Sequence, residues 1–453
     1  MHILTETTYD CIVVGGGIAG SMAAIAAGSN GLSVLLVEEE GYLGGSLTAC
    51  GTGPMMTFHA GDLQVIRGLP DALIERLVQK GLSVGHIPDS TGYTYTVTPF
   101  DSEGMKRELE LMCLEAGVQL LYHTTVIHAD VQDGLLQTVQ CSCAGNLFSL
   151  SARYFIDASG DADLIALAGI PFEMGREKDG KDQPMTMNFK LVGVDIQAIR
   201  DIMDREVSLF PFLADKAGLQ HTASRLSFSG FQELMRKGRA DGRLTFDRDI
   251  VLGFETNAEG EVIINMTRVL EHSPVDPRSL TDAEVEGRRQ VWELYAFLKE
   301  CIPGFGNARM IISGPRIGIR SSRRLQGAYR ISSDDLLSEC RFEDAIAACG
   351  YPIDIHSPDG DATNSTFFRW GGFYTIPLRS LLNTVVPNVV AAGRNISCAF
   401  SAHASLRVSP SCAAIGQGAG TAVALAIEHG CDLFHLQSDA LRAKLLDAGV
   451  FLG

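Results

Sequence analysis

Three groups of side chains in this 453-residue chain have types and spacings suited to chemistry. Arg320, Arg323 and Arg324 put three cations within five residues, which either hold an anion or form a solvated face. Asp354 and His356 alternate in YPIDIH, so an extended backbone turns both to one side. There the carboxylate either orients the imidazole for proton transfer or forms a structural pair with it. His403 and Arg407 stand four residues apart in SAHASLRV, a titrating group beside a cation that either binds a substrate carboxylate or other anion or pairs with a cofactor or an acid. Asn265 and Arg268 are secondary candidates, and Tyr329 is a further proton donor or a structural tyrosine. Nothing among the His, Cys, Asp and Glu residues has metal-ligand spacing, so no metal is expected.

Such side chains need a scaffold, and the chain opens with one. From Tyr9 to Glu40 it reads as a buried strand, three glycines, an Ala-rich helix and a second apolar strand ending on an acid. Gly15 permits the turn, Gly17 admits a pyrophosphate, and Gly20 lets the helix pack against the strand. The helix N-terminus faces the phosphates. Glu38 is placed to accept from a ribose 2′,3′-diol, which favours FAD or NAD over NADP. Gly44, Gly45 and Ser46 follow in a second glycine loop suited to the same phosphates.

Bulk properties narrow the class. The length suggests two domains. A net charge of −17 argues against nucleic-acid partners. With no apolar run of about eighteen residues and no signal pattern in MHILTETTYD, the expectation is a cytoplasmic protein without a membrane partner. The 11 cysteines lack redox spacing and read as free thiols.

Along the chain, helices are expected at Leu69–Lys80 and Glu103–Glu115, with a polar, turn-rich stretch between them. Apolar segments separated by Asp133-Gly134 and Gly145-Asn146 predict an antiparallel meander ending at Asp157, followed by a nucleotide-facing turn and a helix capped near Asp161. A mixed block follows, with a helix capped by Asp195, paired strands at Val251–Glu255 and Glu261–Met266, and a long helix opened by a capping box at Thr281. Near the C-terminus a buried strand at Val389–Ala392 and a small-residue helix at Ser409–Glu428 can rejoin the first sheet. The predicted fold class is α/β: a Rossmann-like domain with a parallel sheet and β-meander, formed by 1–184 and 376–453, with an inserted α+β substrate domain at 185–375.

Taken together, GGGIAG at 15–20, LGGSLT at 43–48, IDASGDADL at 156–164, GPRIGIRSSRRLQGAY at 314–329, YPIDIH, YTIPLRSLL at 374–382 and AAGRNISCAFSAHASLRVSPSCAAIGQGAG at 391–420 resemble the FAD-dependent oxidoreductase family of the glutathione-reductase-like flavoproteins. The resemblance implies non-covalent FAD held by Gly15, Gly17, Gly20 and Glu38, by Gly44, Gly45 and Ser46, and by backbone near Val126. It also implies closure of Asp157 to Gly160 over the nucleotide and contact of Gly393 and Arg394 with the ribityl chain. The helix beginning around Ser411 and Cys412 would aim its amides at the flavin ring. Ser321 stands where relatives often carry an acid, which points to a different substrate.

Within that resemblance His403 becomes the first acid/base candidate, the alternative being a hydrogen bond to its loop or to FAD. Arg407, Arg320, Arg324 and His356 complete the expected catalytic set. The expected function is hydride transfer at flavin N5 to or from a small polar substrate, anionic or carbohydrate-like. The electron acceptor is left open among oxygen, a quinone and a protein carrier. A flavin monooxygenase or a FAD-binding electron-transfer subunit is the alternative, and a homo-oligomer is an open expectation.

Overall fold

The computed structural model describes residues 8–213, 216, 218–360 and 363–453. Most of the stretch examined for a signal pattern, residues 1–7, lies outside the described residues. The opening strand Thr8–Val14 is flanked in parallel by Val34–Val37 and by Asn146–Asp157, and Gln119–Leu121 extends the sheet beyond Val34–Val37. Asn146–Asp157 is long enough to serve two sheet regions. Its first half pairs antiparallel with Leu135–Cys143, which pairs with Thr125–Gln132 to form the meander. Its last three residues pair in parallel with Val389–Ala391. The C-terminal strand thus lies one strand away from the first, so the nucleotide domain is discontinuous.

Two helices lock this closure. Ile18–Ser29 and Ser409–His429 are rich in small residues and almost wholly buried against each other. Glycine at two positions one turn apart lets the backbones meet: a Cβ on Gly416 would lie 2.0 Å from the Ala19 carbonyl oxygen, and one on Gly420 2.1 Å from that of Ala23. Ser409–His429 is long and apolar enough by composition to cross a membrane, but here it is a core helix.

The inserted block has its own core and a five-stranded sheet in the order Ser227–Gly230, Val251–Glu255, Val262–Ile264, Phe189–Val192, Arg309–Ser313. This core runs from Met185 to Ile317, whereas Leu325 and the buried apolar residues after it, Phe400 and Ala424 apart, pack into the first core. The division between cores therefore falls near residue 320 and not at 375. The long helix also starts earlier than the capping box suggested. Asp276 caps it at the Ser279 amide, Pro277 occupies its first turn, and it continues to Cys301. Thr281 lies inside, its hydroxyl donating to the Pro277 carbonyl oxygen.

Candidate active site

A groove runs along the C-terminal ends of the parallel strands, walled by the opening turn, the second glycine loop, the meander and the start of Ser409–His429. Gly15 sits at the turn with φ +100°, where a Cβ would lie 2.5 Å from the Ala158 carbonyl oxygen. At Gly17 a Cβ would have no protein atom nearer than Gly45 Cα at 3.9 Å, so a side chain there would fill the groove. Gly20 is set back from the groove, and a Cβ there would lie 1.9 Å from the Gly15 carbonyl oxygen, which fixes the helix on the turn. Gly44 is also set back. Its amide donates to the Gly16 carbonyl at 2.9 Å, latching the two glycine loops together and presenting Gly45 and Ser46 to the groove.

Glu38 lines the groove at the end of the second strand, one oxygen accepting from the Gly16 amide at 2.5 Å and the other from Glu40 at 2.7 Å. Burial raises its pKa. Val126, Gly160, Gly393, Arg394 and Cys412 also line the groove. Arg316 was not foreseen: it faces Glu39 and Glu40 from the inserted block at the groove's edge.

Two of the expected cofactor contacts lie elsewhere. Asp157 is fully buried behind the groove, where it accepts from the Ser159 amide at 3.0 Å, the Ser159 hydroxyl at 2.7 Å and the Ile165 amide at 2.8 Å. It shapes the turn that presents Gly160, and burial pushes its carboxyl up to about 6. Ser411 points into the core, its hydroxyl 3.0 Å from the Cys349 thiol. Helical geometry puts Ser409 and Cys412, three residues apart, on the groove side instead. Asp161 does not cap the following helix, which begins at Asp163 behind Ala162; its carboxylate pairs with Arg394 at 2.5 Å.

A second cavity of about 650 Å³ opens between the inserted block and the first domain. Ser46, Ile319, Arg394, Arg407 and Ser409 line both spaces and form their common wall. The N-terminal turn of Ser409–His429 lies at this wall, where its amides and helix dipole favour negative charge. Arg320, His356, Asp354, Asn188 and Asn265 line the second cavity, as does Arg248. Arg268 lies outside this lining and donates to the Ser357 carbonyl at 2.8 Å.

Asp354 and His356 do share a face. The strand Ile353–His356 places His356 Nε2 3.2 Å from Asp354 Oδ2. Asp354 also accepts from the hydroxyls of Tyr93 at 2.8 Å and Tyr351 at 3.2 Å, and against its burial the imidazole, then Arg407 and the Tyr93 hydroxyl, hold its carboxyl well below the usual range. Tyr93 comes from the turn-rich stretch before residue 100. The alternation in TGYTYTVT was the signal that it forms part of an ordered wall.

Burial, then the neighbouring Arg320, holds the His356 imidazole well below its ordinary pKa, so it is neutral. With Nε2–H donated to Asp354, Nδ1 is the acceptor nitrogen, 3.4 Å from the Thr363 hydroxyl. Arg320 donates to the Pro184 carbonyl at 2.6 Å and to the Thr186 hydroxyl. Its guanidinium is destabilised by burial and by Arg407, Arg268 and Arg248.

Two expected catalytic residues are not brought into either cavity. His403 lies on the helix Phe400–Leu406 and is 1% exposed; Nε2–H donates to the Arg394 carbonyl at 2.8 Å. Burial holds its imidazole well below its ordinary pKa, and, lining neither cavity, it supports the backbone at Arg394. Arg324 is equally buried, donating to the carbonyls of Cys398 at 3.1 Å and Gly175 at 2.9 Å. Arg323 pairs with Asp163 at 2.8 Å, and the Tyr329 hydroxyl donates to Asp335 at 2.9 Å. Ser321 is buried, donating to Asp182 and accepting from the Gln183 amide, each at 2.8 Å.

The family model for FAD dependent oxidoreductases matches residues 10–445. A dihydrolipoamide dehydrogenase of Chaetomium thermophilum is 28% identical over 120 residues, 26% of this chain and 23% of that protein. A digeranylgeranylglycerophospholipid reductase of Methanosphaerula palustris is 26% identical over 164 residues, 34% of this chain and 39% of that protein. The matched segments thus span well under half of either relative. A triple mutant of the flavin-dependent brominase Bmp2 shares the fold at 13% identity, with a TM-score of 0.51 over 97% of this chain and 84% of that one. The groove fits the cofactor these likenesses imply, since its Gly17 cradle is empty of protein and Arg394, which also lines it, has a buried Nε without an acceptor. With its turns, glycine loops and closing helix matched from residue 10 to residue 445, this chain belongs to the FAD dependent oxidoreductase family and is an enzyme with FAD as its cofactor.

Proposed function

We propose that the substrate is a small polar anion, bound in the second cavity and oxidised or reduced there. One observation carries this reading: Arg320 and Arg407 both line the cavity, and among the described residues neither forms a salt bridge, Asp354 being an acid near both. Two partly buried cations facing one carboxylate leave an excess of positive charge, which is costly and which a ligand carboxylate relieves.

FAD, when bound, supplies the two-electron chemistry, taking or giving a hydride at N5 of its ring. Arg320 and Arg407 bind and orient the anion. His356 takes or returns a proton at Nδ1, and Asp354 fixes the tautomer that makes this nitrogen the acceptor. Apolar groups of the first domain and the inserted block, including Met56, Phe212 and Leu252, supply the apolar part of the cavity's lining.

A thermal-shift series on the FAD-loaded protein tests the anion site. Small carboxylates should raise the Tm of the wild type and do so much less in Arg320→Met, whereas neutral polyols should have little effect. Stabilisation by polyols alone would overturn the reading.

A further inference from the structure

We infer that Arg316 is a positioning residue for the cofactor: it fastens the inserted block to the end of the groove beside Glu38, and the strength of this fastening sets how fast FAD leaves. The inference concerns the cofactor groove and is independent of the reading of the second cavity.

The groove is built mostly from the first domain. Among the described residues its lining takes Arg316, Ile317 and Ile319 from the inserted block, all from one short segment. That segment is tied on two sides. Toward the inserted block, the Thr186 and Gly318 backbones exchange hydrogen bonds of 3.0 and 2.7 Å, the Gly314 amide donates to the Asn188 carbonyl at 2.8 Å, and Glu284 of the long helix accepts from the Ile317 amide at 2.7 Å. Toward the second glycine loop, the Arg316 amide donates to the Ala49 carbonyl at 3.1 Å. The Asn188 side-chain amide donates to the Thr52 hydroxyl at 3.1 Å and to the Cys50 carbonyl at 3.4 Å. Gly314 permits this approach, since a Cβ there would lie 2.8 Å from the Cys50 carbonyl oxygen. The loop that presents Gly45 and Ser46 to the groove is therefore held from outside by the inserted block.

The Arg316 side chain adds the tie to the second strand. Its Nε lies 2.6 Å from Glu40 Oε1 and its Nη1 pairs with Glu39, and both acids line the groove directly after Glu38. One guanidinium shared between two carboxylates has a fixed geometry that a single point charge lacks. The side chains of Arg316 and Glu39 are 48% and 45% exposed, so dissolved salt reaches the pair and weakens it. The backbone ties, by contrast, respond little to ionic strength. The fastening is thus the salt-sensitive part of an otherwise fixed wall.

FAD release tests this without turnover. The loaded protein is diluted at a series of salt concentrations and the rise in free-flavin fluorescence is followed. Release from the wild type should quicken as salt rises. Arg316→Ala should release FAD ~3–10-fold faster at low salt and lose most of the salt dependence, with Tm little changed. Arg316→Lys keeps the charge without the fork and should fall between the two; it carries the comparison if Arg316→Ala is isolated without flavin. Joint replacement Glu39→Gln and Glu40→Gln separates a fastening from direct contact between Arg316 and the cofactor phosphates. A fastening predicts faster release from this double variant as well. Unchanged or slower release from it, or an Arg316→Ala rate equal to wild type at every salt concentration, would overturn the inference.

Discussion

His356 Nε2 lies 3.2 Å from Asp354 Oδ2, the two side chains meeting on one face of a four-residue strand in the wall of the second cavity. The carboxylate is anchored in turn by Tyr93, 261 residues earlier in the chain. A histidine oriented this way has one nitrogen fixed on the carboxylate and the other held only by the long contact to the Thr363 hydroxyl, an arrangement suited to proton transfer.

Removing that nitrogen should slow chemistry and spare the cofactor. His356→Ala is expected to retain FAD and to lower the rate of flavin reduction in anaerobic stopped flow by ~10²–10⁴-fold. His403→Gln, which alters a residue facing neither cavity, should lower the Tm while leaving that rate within about tenfold of wild type. The reverse pattern would return the proton-transfer role to His403.

Acid should expose the same imidazole thermodynamically. Its folded-state pKa is depressed by burial and by Arg320, so at mildly acidic pH the unfolded chain binds a proton that the folded chain does not. Its contribution to stability is complete above the unfolded value of ~6.5 and is lost as pH falls below it. Between about pH 7 and about pH 5 the wild type should therefore lose more stability in urea than His356→Gln. Asp157, raised to about 6, acts in the opposite sense, losing its contribution as pH rises through that value, but it is present in both proteins and cancels. Parallel pH profiles would place the titration elsewhere.

Gly17→Val should yield a folded protein that does not retain FAD, because the new side chain would project into groove space that no protein atom occupies. Flavin content per chain, with far-UV circular dichroism as the control, checks this. Normal content would remove Gly17 from the phosphate site.

Arg324→Met should reduce stability and leave substrate KM unchanged. The substitution strands the Cys398 and Gly175 carbonyls in the core, at a cost of ~1–3 kcal/mol, readable as a lower denaturation midpoint. A raised KM with unchanged stability would put the side chain in the cavity.

The parts of this enzyme legible in the sequence are those in which local spacing fixes the outcome. Gly15, Gly17 and Gly20 each do a backbone task that no other residue type performs as well, and the rejoining of Val389–Ala391 to the first sheet follows from a buried strand ahead of a small-residue helix. Side-chain direction was harder to read. A shift of one or two residues on a helix turned Ser411 into the core while Ser409 and Cys412 faced the groove, and it turned His403 away from both cavities. The three clustered arginines went to three different environments because the backbone through them is irregular and lacks a constant face. Tyr93 gains its place at Asp354 only through a partner 261 residues away, which local pattern does not encode.

The most direct test of the central claim is anaerobic titration of the FAD-loaded enzyme with matched anionic and neutral compounds, followed by the loss of oxidised-flavin absorbance. A small carboxylate should bleach the wild-type flavin, and Arg320→Met should require ~10-fold or more of the same compound to reach half the effect. Bleaching by a neutral compound alone, with the same concentration dependence in Arg320→Met, would contradict the account.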